Sequence, residues 1–129
     1  MENEKSKGTQ KFDLEGRLID FSLSVIDIVE SLPSSRVGSH IANQLVRSGT
    51  SPAANYGEAL SAESRSDFIH KMRISLKELR ETRIWLLIIQ RKGLVKPEAA
   101  LRVLKENCEL IAIFAASINT AKKKGKVAS

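Results

Sequence analysis

Apolar residues recur along this chain at steps of three and four, the spacing that lines one face of an α-helix. In the first such segment Leu14, Leu18, Phe21, Val25, Ile28 and Leu32 form a stripe. Ile19, Ile26 and Val29 widen it, as expected of a helix packed against two neighbours. Leu32-Pro33-Ser34-Ser35 ends the helix, because the residue before a proline is pushed out of helical conformation. A second helix is predicted from about Ser35–Ser39 to Leu60, with Ala42, Val46, Gly49, Ala53, Tyr56 and Leu60 on its apolar face. Pro52 lies inside it, lacking a backbone donor and clashing with the carbonyl four residues back, so a kink or break is expected there. The third helix opens with Ser61 or Ser64 as its cap, and Ser64-x-x-Asp67 roughly resembles a capping box. Its stripe is Ile69, Met72, Leu76, Leu79 and Leu86, with Gly93 as terminator. The fourth begins at Pro97, and its seam is Leu101, Leu104, Cys108, Ile111, Ala115 and Ile118. No segment shows convincing strand alternation. The connections are short, so the predicted fold is all-α, an antiparallel up-down-up-down four-helix bundle.

The length, 129 residues, suits one domain that needs neither disulfide nor metal to hold a core. Leu110 to Ala116 is the longest apolar run, far short of the ~20 residues that cross a bilayer. The opening MENEKSKGTQ has no apolar core of a secretory signal, and a single cysteine fits a reducing compartment. A cytoplasmic protein without a membrane partner is therefore expected. Residues 11–121 are expected to form the bundle, between a flexible segment at 1–10 and a basic flexible tail at 122–129.

The net charge of +6 is unevenly spread. Residues 11–32 set Lys11 and Arg17 against Asp13, Glu15, Asp20, Asp27 and Glu30 and are acidic. Residues 63–93 are basic, and the tail holds Lys122, Lys123, Lys124 and Lys126 with no acid. Such asymmetry permits a nucleic-acid or acidic-protein partner, although solubility alone also accounts for it.

Little points to catalysis. His40 and His70 are the only histidines and have no metal-ligand spacing. No phosphate-cradling glycine loop and no nucleophile elbow is present. Cys108, on the seam of the fourth helix, reads as core filler. No catalytic residue, no metal site and no cofactor is expected. The informative pattern is polar: Gln44, Arg47, Ser51, Asn55 and Glu58 share one face of the second helix. An idle exposed face would more often carry Lys and Glu, so a buried or interfacial hydrogen-bond network is an even alternative.

The run from Gln44 through Arg47, Ser51-Pro52 and Asn55 to Glu58, followed downstream by Asp67-Phe68 and by Lys77-Glu78-Leu79-Arg80 to Trp85-Leu86, resembles the two blocks of the 23S rRNA-intervening-sequence proteins. The likeness covers about residues 11–120, with Ala59 where many members have glycine. It implies an antiparallel four-helix bundle assembled into a ring, commonly a pentamer, and brings Glu78 into the polar set. It also implies kinship with accessory proteins of diversity-generating retroelements, whose basic ring engages RNA and a reverse transcriptase. Fold transfers along such a resemblance far better than function.

Arg73, Lys77 and Arg80 lie on one helical face with Lys71 nearby, a basic stripe that, with Lys122, Lys123, Lys124 and Lys126, is a candidate nucleic-acid site. The plainer alternative is a solvated face in which Glu81 pairs Lys77 one turn on. Trp85 sits among six consecutive apolar residues, Ile84 to Ile89, more than one core face can absorb, so a subunit interface is its expected place. The sequence thus favours a non-enzymatic homo-oligomeric scaffold that binds RNA or other nucleic acid. A protein-interaction adaptor, such as an accessory subunit of a partner enzyme, is the rival.

Overall fold

The computed structural model describes residues 13–128, with side chains as far as Gly125. Four helices make up the described chain: α1 (Leu14–Ser31), α2 (Arg36–Leu60), α3 (Arg65–Lys92) and α4 (Pro97–Ala128). No strand occurs among these residues. The N-terminal segment 1–10 lies outside them. The helix ends follow local chemistry. Asp13, Ser35 and Ser64 each cap an N-terminus by accepting a backbone N–H three residues on, at 2.9–3.0 Å. Gly93 closes α3 at φ 69°, a left-handed conformation that favours glycine.

The core is built from Leu14, Leu18, Phe21, Val25 and Ile28 of α1, as the periodicity predicts, and from Met72, Leu79, Leu86 and Ile89 of α3. In α2 and α4 the buried face is turned in part by one residue from the predicted one, although Gly49 of α2 and Leu104 and Ile118 of α4 are buried as predicted. α2 buries Ile41, Leu45, Ser48, Pro52 and Ala59, while Leu60 is exposed. α4 buries Ala100, Val103, Asn107, Leu110 and Phe114, whereas Leu101 and Cys108 are exposed. Cys108 is therefore not core filler. In both helices the true seam runs through polar residues or proline, which apolar periodicity passes over.

Those polar groups are partnered across helices. The Ser48 and Thr82 hydroxyls lie 2.9 Å apart, Ser75 Oγ donates to the Pro52 carbonyl at 3.1 Å, and Asn107 Nδ2 donates to the Leu79 carbonyl at 3.1 Å. α2 continues as helix through Pro52, so of the expected kink or break the break does not occur, and the proline is buried. Residues 122–128 likewise continue α4 where a flexible tail was expected. No proline interrupts them, and the three lysines that open this stretch are good helix formers.

Candidate nucleic-acid interface

The predicted polar face of α2 divides into an Arg47-centred cluster that reaches α3 and two separate pairs. Arg47 Nη1 meets Glu78 at 3.0 Å, its Nη2 meets Glu81, and Gln44 Oε1 lies 3.4 Å from Nη2. Glu81 also accepts from Trp85 Nε1 at 3.1 Å. Asn55 folds back onto Ser51, its Nδ2 donating to Ser51 Oγ at 3.0 Å and to the Ser51 carbonyl at 3.1 Å. Glu58 stands apart and takes Lys71 Nζ at 2.7 Å. A single buried network through Arg47, Asn55 and Glu58 is not what forms. The Arg47 and Glu58 side chains are 50% and 59% exposed, because this face looks outward between α2 and α3.

The same contacts reorder the basic residues. Lys71 is engaged by Glu58, and that hydrogen bond is the main reason its pKa lies above the ordinary lysine value. Glu81 turns to Arg47 and Trp85 rather than to Lys77. Arg73, Lys77 and Arg80 form an exposed row along the outside of α3, and Lys122, Lys123 and Lys124 are exposed on α4. The ion pairs among the described residues use Arg17, Arg47 and Lys71 only, so this row keeps its charge uncompensated. The Lys126 side chain lies outside the described residues.

The fold brings the start of the row beside the lysines. Arg73 and Lys122 line one cleft of about 570 Å³, floored by Leu76, Ala115 and Ile118. Arg65 and Lys124 flank a second of about 630 Å³ beside Phe68 and Ala121. Arg65 was not foreseen as a site residue. The signal was available: with α3 and α4 as neighbours joined by a short loop, the start of α3 must lie beside the end of α4. The result is one cationic end built from the first half of α3 and the last turns of α4.

Arg17 bridges Glu106 at 2.6 Å and Glu109 at 2.5 Å, and the Glu106 hydrogen bond raises its pKa above the ordinary arginine value. Tyr56, edge-on to Phe114, has its pKa raised first by burial and then by the Glu15 and Asp13 carboxylates. Trp85 is half-buried against the core and sits edge-on to His40, ring centroids 5.8 Å apart. Its neighbours Ile84 and Ile88 are exposed. No cluster of three or more His, Cys, Asp or Glu side chains that could hold a metal occurs among the described residues, and no described helix is long and apolar enough to cross a membrane.

The architecture is thus an all-helical four-helix domain with a cationic end. The chain belongs to the 23S rRNA-intervening sequence protein family, whose model matches residues 11–116. Among solved structures it is similar to a protein of unknown function from the S23 ribosomal protein family of Bacteroides thetaiotaomicron. The two share 29% identity with a TM-score of 0.77, over 82% of this chain and 98% of that one. No curated protein matches the sequence.

Proposed function

We propose that this protein is a non-enzymatic, homo-oligomeric scaffold, a cytoplasmic ring that binds RNA or other nucleic acid through the cationic end of α3 and α4. The observation that carries the reading is a set of exposed cations outside every ion pair of the described residues: Arg73 shares one cleft with Lys122 and Arg65 another with Lys124, with Lys77 and Arg80 further along α3 and Lys123 on α4. Phosphates bind such a surface by releasing counterions and need no dedicated pocket. An antiparallel up-down-up-down course is supported by the order of contacts between α2 and α3. Arg47, Ser48 and Pro52 meet Glu78, Thr82 and Ser75, so partners further along α2 lie, on the whole, further back along α3. Ring assembly, commonly pentameric in the resemblance drawn above, fits the exposed apolar residues on α1, α3 and α4.

A salt series by fluorescence anisotropy with a folded rRNA fragment tests the reading. A subunit that neutralises about five phosphates gives a log–log slope near −3.5 for single strands and near −4.5 for a B-form duplex. Reversing Lys77 and Arg80 together weakens all RNAs alike, because phosphate contacts carry no sequence information. Absence of binding at ~50 mM salt, or binding indifferent to these changes, puts the adaptor reading ahead.

A further inference from the structure

Two surfaces outside the cationic end remain unused, and they match each other. On α1, Ile19, Leu23 and Ile26 form an outward stripe, 49%, 55% and 37% exposed respectively. Asp20 and Asp27 run beside it and Glu30 closes its C-terminal end, all exposed. None of these carboxylates takes part in an ion pair among the described residues. The second surface is a groove between the last half of α3 and the first half of α4, a cleft of about 600 Å³. Leu87, Leu101, Cys108 and Ala112 line it with Arg83 and Lys105. Its one carboxylate, Glu109, is taken by Arg17.

The dimensions agree as well as the signs. Ile19 to Ile26 spans about 10 Å of helix at ~1.5 Å per residue, and Leu101 to Ala112 spans about 16 Å. A helix that lays an apolar stripe into a groove uses anchors spaced three and four apart, which is the spacing of Ile19, Leu23 and Ile26. Nucleic acid has no use for the apolar floor, and a mostly apolar groove with two cations suits an acid-flanked apolar helix better than a phosphate backbone.

We infer that the α1 stripe of one copy docks into the α3–α4 groove of the next, so that subunits join head to tail. Because the two patches differ, the contact is heterologous, and repeated with a closing rotation it generates a ring. The inference rests on the oligomeric reading above and specifies its interface.

Light scattering on purified chain, with paired charge reversals, decides it. The wild type is an oligomer larger than a dimer. Asp20→Lys with Asp27→Lys yields a helical monomer, and so does Arg83→Glu with Lys105→Glu. Combining all four changes in one chain restores the oligomer, because the reversed faces again attract. A second readout does not depend on charge. Leu23→Cys adds one thiol to a chain whose own cysteine, Cys108, lies in the groove. A short bismaleimide then links Leu23→Cys subunits into a ladder beyond dimers, and Cys108→Ser abolishes the ladder. A wild-type monomer overturns the oligomeric reading itself. An oligomer that survives both reversals, or one that neither recombination nor crosslinking recovers, overturns this pairing of faces while leaving oligomerisation standing.

Discussion

Asn107 is fully buried on α4, and only one of its two polar side-chain atoms is hydrogen-bonded. Its Nδ2 donates to the Leu79 carbonyl, and its Oδ1 has no partner among the described residues. An unsatisfied buried acceptor costs about 1–3 kcal/mol, whereas removing both polar ends of a side chain can be neutral or better. The Leu79 carbonyl faces the interior of a helix and keeps its backbone partner when the amide is removed. Asn107→Leu is therefore expected to raise the unfolding free energy by about 1 kcal/mol. Asn107→Asp is expected to lower it by several kcal/mol, since an isolated carboxylate is far costlier to bury than an amide. Urea melts of the three proteins, ordered Leu, Asn, Asp from most to least stable, check the claim. By contrast Glu58, one end of the polar stripe for which a buried or interfacial network was the alternative, sits on the surface with Lys71, so its removal strands nothing in the interior.

Between elements, α1 approaches α2 closely at Gly49. A Cβ added there would stand 2.6 Å from Val25 Cγ1, and Val25 is fully buried with no room to retreat. Alanine gains ~1 kcal/mol over glycine in helix propensity, but overpacking costs about 1–3 kcal/mol. The clash wins, and Gly49→Ala is expected to destabilise by about 1–2 kcal/mol. In a Val25→Ala background the same change becomes neutral or favourable, a coupling that a double-mutant cycle in denaturant measures. The pair also shows what the sequence could and could not convey about helices. The core positions of α1 were legible because its buried face is wholly apolar, although Ile19 and Ile26, expected to widen that face, are exposed. The helix ends were legible because Pro33, Ser64, Gly93 and Pro97 act locally. The faces of α2 and α4 were legible only in part because Ser48, Pro52 and Asn107 are buried there, and only contacts with α3 make that tolerable. The site was half legible for a related reason. Arg73, Lys77 and Arg80 share a face by spacing alone, but that Lys71 pairs with Glu58, and that Arg65 meets the end of α4, depends on how separate helices align.

Across the whole molecule, charge and apolar surface divide along α3 and α4. The cationic end uses residues 65–80 and 122–124, and the apolar groove uses 83–90 and 101–112. Binding and assembly are therefore separable by mutation. Lys122→Glu, Lys123→Glu and Lys124→Glu together should leave the oligomer mass unchanged and weaken every nucleic acid, whatever its length. Arg83→Glu with Lys105→Glu should do the reverse, yielding monomers whose cationic end is intact. For an oligonucleotide that reaches one subunit, that monomer should bind within a few-fold of wild type and with the same salt slope per subunit. For a folded RNA that touches several subunits, linkage converts later contacts into intramolecular ones, so its loss should weaken binding by ~10²–10⁴-fold. Anisotropy with the two lengths in parallel separates the cases. An equal loss on both would mean that the groove itself touches nucleic acid, and a loss on neither would mean that a single cationic end accounts for all the binding.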